Sequence, residues 1–235
     1  MKSTNSFTLI LTLVILSIIV LYLLIHFLYK ATFPKVEQSS TIIVLGSGGH
    51  TSEMMTLINH LDTLKFTPRN YIVTDGDNLS SLKVIQFEKQ SDFSITSIPR
   101  ARSVGQSFIS SIPTTSFCFM KCMLLFTTIK ADLVLMNGPG TCIPITIALL
   151  LKRVIINSIH HNNLPCSLIS CLILISSSEY CFGAKCRIVY VESFARVRTL
   201  SLTGKIMYRL ADNFLVQWPE LKALCPKVDY IGTIM

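Results

Sequence analysis

The chain has 235 residues, a formal net charge of +8 and an apolar share of 50%. This suits one medium-sized domain with an additional membrane segment. Its 21 Lys and Arg are spread along the sequence rather than gathered in blocks. That pattern argues against a nucleic-acid stripe and for a positive face meeting anionic lipid or a phosphorylated lipid.

In chain order, the first element is a run of about 23 residues without a formal charge, residues 7–29. It is long enough to cross a hydrocarbon core of about 30 Å. A cleaved signal peptide would want a shorter apolar core and a small-residue cleavage site, and Ala31-Thr-Phe-Pro34 is a poor one. The expectation is therefore an N-terminal transmembrane anchor over 1–30 and a polar linker over 31–40. Lys30 and Lys35 follow the span and only Lys2 precedes it, so the positive-inside tendency points to a cytosolic body. The eight cysteines include no Cys-x-x-Cys pair, and several lie in apolar surroundings, as small buried hydrophobes do in a reducing compartment. A luminal disulfide framework is the alternative that an even count permits. Asn78-Leu-Ser80 matches a glycosylation sequon but would be idle on the cytosolic side.

Apolar, β-branched runs predict strands over residues 41–45, 70–74, 94–98, 132–136, 187–192 and 214–217. Helical periodicity fills 50–64, 79–87, 113–129 and 142–151, and 117–129 is apolar enough to be either a buried helix or one lying in a membrane interface. Such alternation predicts an α/β fold: a single Rossmann-like domain over 41–235, with a parallel sheet and ligands at the carboxyl ends of its strands. Residues 154–157 are strand-like and compete with 187–192 for one place in the sheet. The apolar stretch 164–178 is too short to span a bilayer.

Five constellations carry candidate chemistry. The first, Gly46-Ser-Gly-Gly-His-Thr51, links a strand to a helix start, where backbone N–H groups and the helix dipole suit a phosphate. It lacks the third glycine of a dinucleotide fingerprint, Thr51 standing there, and the Gly-Lys-Ser/Thr ending of a P-loop. Gly46, Ser47, Gly48, Gly49, His50 and Thr51 are thus candidate phosphate contacts, a tight packing turn being the plainer reading. His50 suits a phosphate contact, proton transfer or helix capping. Glu53 favours the helix dipole whatever else it does, and the two are the weak catalytic candidates.

The second is the pair Arg100 and Arg102, two apart after a strand, where two guanidinium groups suit a diphosphate or lipid headgroup; a solvated basic loop at the membrane is the alternative. The third is Asn137-Gly-Pro-Gly140 with Thr141, a second strand–glycine–helix junction that would face the same crevice or be a plain turn. The fourth, His160, His161, Cys166 and Cys171, matches no zinc spacing, so neither a metal nor a cofactor is expected. The fifth runs from Trp218 to the apolar terminus Tyr230, Ile231, Gly232, Thr233, Ile234 and Met235. It is a candidate partner-binding tail, or else an edge strand folded back on its own sheet. No Ser-His-Asp or Cys-His signature stands out. Asp75 closes its strand, where a carboxylate could touch a ribose.

Together, Gly46-Ser-Gly-Gly-His-Thr-Ser-Glu53, Ile98-Pro-Arg-Ala-Arg102 with Gln106 and Ser107, Asn137-Gly-Pro-Gly-Thr-Cys-Ile-Pro144 and Tyr190-Val-Glu-Ser-Phe-Ala-Arg196 resemble the Alg14 family. So do Leu200-Ser-Leu-Thr-Gly-Lys205 and Phe214-Leu-Val-Gln-Trp-Pro219. The resemblance covers nearly everything after the anchor. It implies the membrane-anchoring, acceptor-side half of a split GT-B UDP-N-acetylglucosamine transferase, with a separate Alg13-type catalytic subunit supplying the sugar-nucleotide half. Such an enzyme adds the second N-acetylglucosamine to N-acetylglucosaminyl-diphosphodolichol on the cytosolic face of the endoplasmic reticulum. Other early dolichol-pathway glycosyltransferases are further implied neighbours. By the same resemblance Gly46 to Thr51, Arg100, Arg102, Asn137, Gly138, Gly140, Thr141 and Glu192 line the acceptor side, and Ile231 to Met235 help hold the partner. One departure stands out: the stretch 154–186 is longer than the family pattern, as an insertion or a misjoined segment would be. The rival reading is a self-sufficient membrane-anchored glycosyltransferase or nucleotide-dependent enzyme. It needs two Rossmann-like halves, and only one fits after residue 40.

Overall fold

The computed structural model describes residues 38–88, 92–103, 105–160 and 186–234. The expected anchor over 1–30, most of the linker, and the cysteines at 166, 171 and 181 lie outside them. Among the described residues no helix is long and apolar enough to cross a membrane.

Seven strands form one sheet in the order β3-β2-β1-β4-β5-β6-β7, and every neighbouring pair is parallel. They are β1 Thr41–Val44, β2 Arg69–Thr74, β3 Phe93–Ile98, β4 Leu133–Asn137, β5 Arg187–Val191, β6 Asn213–Val216 and β7 Asp229–Tyr230. The helices, in chain order, are α1 Gly49–Asn59, α2 Asn78–Phe87, α3 Ser111–Thr128, α4 Cys142–His160, α5 Leu202–Leu210 and α6 Pro219–Leu224. The six expected strands are all present, each boundary within a residue of expectation.

The sequence of β1 explains its central position. Thr41, Ile42, Ile43 and Val44 are all buried, and a strand covered on both faces needs a continuous apolar run. Successive side chains alternate. Ile42 and Val44 join Phe126, Ile145, Leu149 and Met207 under α3, α4 and α5. Ile43 and Leu45 join Met54, Ile58 and Val84 under α1 and α2. Each fully buried aliphatic side chain contributes about 1.5–3 kcal/mol relative to exposure in water. Helices on both faces and a strand order that reverses between β1 and β4 make this a doubly wound sheet, whose crevice opens where the order reverses.

Helix starts follow side-chain caps. The Asp77 carboxylate accepts from Ser80 N at 3.1 Å and opens α2, while Ser201 Oγ accepts from Gly204 N at 2.8 Å and opens α5. Such caps are worth about 1 kcal/mol each.

At the N-terminal end of β2, away from the crevice, a buried ionic group ties strand to helix. Arg69 donates to both Glu88 oxygens, from Nε at 2.5 Å and from a terminal nitrogen at 2.7 Å. It also donates to the carbonyls of Thr63 and Phe66. The Tyr71 hydroxyl donates to Glu88 Oε1 at 2.5 Å. Burial, with the Glu88 carboxylate beside it, pushes the Tyr71 phenol well above its ordinary range.

One expectation is corrected here. Residues 154–157 are not a strand but continue α4, which runs to His160. The sheet closes across the long 154–186 stretch, with β4 and β5 adjacent and paired from Leu133↔Arg187 to Asn137↔Val191. The described cysteines, Cys118, Cys122, Cys142, Cys186 and Cys225, are all free.

Candidate functional site

Where the loops after β1 and β4 meet, a cleft of about 530 Å³ opens at the carboxyl edge of the sheet. Its floor is built from the two glycine junctions, and they interlock. A side chain on Gly46 would lie 2.8 Å from His50 Cβ and from Pro139 Cγ. Gly138 has φ +69°, and a Cβ there would overlap the His50 imidazole. Only glycine meets both demands at Gly138.

His50 lines the cleft, and its Nδ1 lies 3.0 Å from Asn137 Oδ1. The amide oxygen only accepts, so Nδ1–H donates to it and Nε2 is the ring nitrogen left over. The helix-capping role considered for His50 is not what it does: the N-cap residue is Gly48, with no side-chain cap. Asn137 is fully buried and its Nδ2 has no hydrogen-bond partner among the described residues; the same holds for Thr74 Oγ1, whose residue lines the cleft. Orphaned buried polar atoms cost about 1–3 kcal/mol each, and in native proteins they call for an explanation such as a ligand.

Glu53 goes beyond a dipole role. It is buried and accepts from Ser193 Oγ at 2.9 Å, across 140 residues of sequence, and from Phe194 N at 3.4 Å. It also stands 3.9 Å from His50 Nδ1. That carboxylate raises the His50 pKa, against burial and with help from Asn137. Burial lifts the Glu53 carboxyl in turn, but His50, Ser193 and Asn137 together outweigh it and leave it lowered. The linkage signs follow. His50 contributes stability that is fully present below its ordinary 6.5 and lost as pH rises through its raised value. Glu53 contributes above its ordinary 4.5 and loses it as pH falls through its lowered value. The stability gap between wild type and His50→Gln in urea unfolding should therefore be widest between the ordinary values of 4.5 and 6.5 and narrow as pH rises through the raised His50 value. A gap that widens at alkaline pH would overturn the pairing.

Glu192 follows β5 and is fully buried at the cleft wall. It accepts from Ser193 N at 3.1 Å and from Ser201 N and Oγ at 3.2 Å each. Burial raises its pKa, opposed by those donors and by Arg196. A Cβ on Gly204 would overlap Glu192 Oε2, so the glycine lets α5 start against the carboxyl group.

On the opposite wall stand Arg100 and Arg102. Arg102 is held within its own loop, donating from Nε to Gln106 O at 2.7 Å and stacking 4.2 Å from the Phe108 ring centroid. Arg100 forms no hydrogen bond or ion pair among the described residues. With Arg196, three guanidinium groups face one cleft beside two helix starts, an arrangement that suits an anion such as a diphosphate.

The structure thus gathers Ser47, His50, Arg100, Arg102, Gly138, Gly140, Thr141 and Glu192 around one cleft, with Gly46 and Asn137 interlocked beneath it. Gly48 and Gly49 are exposed at the loop tip. Thr51 is turned inward, its hydroxyl held by Gly46 O and Ser80 Oγ. Sequence reasoning missed Thr74, Ser193, Arg196, Ser201 and Thr203, all of which line the cleft. The signal for Ser201 was a cap-type residue before apolar positions 202, 206, 207 and 210.

The tail is partly strand. Tyr230 pairs in β7, Ile231 N donates to Val216 O at 3.0 Å, and Ile234 N reaches Gln217 Oε1 at 3.4 Å. The Trp218 indole donates to Phe194 O at 2.7 Å and packs on the Phe194 ring. His161 lies outside the described residues with Cys166 and Cys171.

Residues 41–234 match the family described as "Oligosaccharide biosynthesis protein Alg14 like". The chain is 37% identical over 210 residues to the UDP-N-acetylglucosamine transferase subunit ALG14 of Homo sapiens, covering 85% of this chain and 84% of that relative. The corresponding subunit of Candida albicans is 37% identical over 202 residues, covering 85% and 80%. The fold is shared with a crystal structure of Acinetobacter baumannii MurG, at TM-score 0.52 and 14% identity, covering 83% of this chain. The chain spans only 45% of that MurG chain. On a match running from β1 to the tail, and on relatives aligned over most of their own length, the chain belongs to the Alg14 family.

Proposed function

We propose that the chain is the acceptor-binding subunit of a two-part UDP-N-acetylglucosamine transferase in oligosaccharide biosynthesis. On this reading it is anchored through residues 1–30 to the endoplasmic reticulum membrane, with its globular domain on the cytosolic side. It recruits an Alg13-type subunit that supplies the sugar-nucleotide lobe. The acceptor is N-acetylglucosaminyl-diphosphodolichol, which receives its second N-acetylglucosamine.

The observation that carries this reading is the cleft: three arginines and two glycine junctions converge at the switch point of a single parallel-sheet lobe. The diphosphate would lie between Arg100, Arg102 and the α4 start at Gly140 and Thr141, leaving His50 and Glu192 nearer the sugar. The relatives' printed names, each a transferase subunit, support an incomplete enzyme. The tail from Tyr230 to Met235, which begins in the edge strand β7, is the proposed partner contact.

Reconstitution tests this. The full chain in detergent should transfer no N-acetylglucosamine alone and gain transfer when an Alg13-type subunit is added. Deleting Ile231 to Met235 should release that subunit on co-sedimentation. Robust turnover by the lone chain would refute the subunit reading.

A further inference from the structure

Beside the cleft lies a second, apolar depression of about 340 Å³ between α3 and α4, lined by Ser111, Ile112, Thr115, Phe119, Pro144 and Ile147. We infer that this groove receives the first isoprene units of the acceptor's hydrocarbon chain, an inference that rests on the acceptor proposed above.

Continuity is the first argument. Two links join cleft and groove. Thr115 donates to the carbonyl of Ala101, the residue between the two cleft arginines, at 3.0 Å, so the arginine loop is fastened to the helix that forms the groove. On the other side Thr141 lines the cleft, and Pro144, one turn later on α4, lines the groove.

The polarity of the lining is the second. Two of its three hydroxyls are already spent, Thr115 on Ala101 and Ser111 Oγ on Phe108 O at 2.7 Å, and the third, on Ser116, is at an exposed position. Most of what remains towards solvent is hydrocarbon, with Ile112 62% and Ile147 39% exposed and Ile109, at the α3 entrance, 82% exposed. A mainly apolar trough takes an apolar occupant.

Charge identifies which one. The trough is tied to a cationic cleft by these two links, so its occupant is the apolar part of a molecule whose anionic part sits between the arginines. A polyprenyl diphosphate has that division at its ester oxygen.

The experiment uses the full chain with its partner subunit in detergent. The probe is an N-acetylglucosaminyl diphosphate ester of a short prenol carrying a diazirine on its second isoprene unit. Irradiation should give adducts on peptides holding Ile112, Phe119 and Ile147, chased by unmodified lipid. Adducts confined to other surfaces while the probe still accepts sugar would overturn the groove and leave the acceptor reading standing. A probe that neither crosslinks nor accepts sugar would sink both. Ile112→Asp and Ile147→Asp sit on exposed positions, so folding should persist. Each should raise KM for the prenyl acceptor about tenfold and leave a methyl-ester acceptor unchanged. An equal rise for both acceptors would overturn the inference.

Discussion

Replacing Arg69 with alanine is expected to destabilise the domain by about 3–5 kcal/mol, because it leaves the buried Glu88 carboxylate without its cation. Arg69 and Glu88 are both almost fully buried, and the guanidinium also holds the carbonyls of Thr63 and Phe66. The group fixes the start of β2 to the end of α2. Tyr71→Phe removes one hydrogen bond to the same carboxylate and should cost nearer 1 kcal/mol. Urea unfolding of the full chain in mild detergent measures both, and a loss below about 1 kcal/mol for Arg69→Ala would contradict the account. This group lies at the end of the sheet away from the cleft, so the folded fraction of the variant should keep its acceptor KM.

Gly138→Ala is the second large effect, and it should appear in transfer. The position has φ +69°, a conformation costing an L-residue about 1–3 kcal/mol. The new methyl group would also displace the His50 ring from Asn137. A displacement of about 1 Å in such a group lowers turnover on the order of a hundredfold. Two causes predict non-additivity. In a His50→Ala background the stability cost of Gly138→Ala should fall to the backbone strain alone. Equal costs in both backgrounds, measured by urea unfolding, would remove His50 from the explanation.

The fold was legible where residue chemistry and period agree. The apolar, β-branched run at β1 and the glycines after it announced a strand–turn–helix junction, and the sheet confirms that start. Residues 154–157 misled because β-branched residues also tolerate a helix, at a cost of a few tenths of a kcal/mol each that packing overrides. The two-residue β7 leaves no periodic trace. Helix α5 is short and carries a glycine, which masked its cap. At the site, glycines and arginines were visible as types. The Glu53–Ser193 bond spans 140 positions, and Asn137, a candidate contact or a plain turn residue by sequence, gains its His50 partner only when the sheet brings the two together. Likewise, nothing local predicts that Arg69, Tyr71 and Glu88 share one buried group; strand pairing and the α2 cap create it.

The vacant Cβ positions at Gly46 and Gly138 are filled by Pro139 and His50, which makes the two turns one keyed block. Such a block does not flex one turn at a time, so differently sized ligands are to be met by residues 105–110, where Gln106 and Ser107 make mainly local hydrogen bonds. Tolerance for substrate variation should therefore evolve on that segment, while the keyed turns hold their composition.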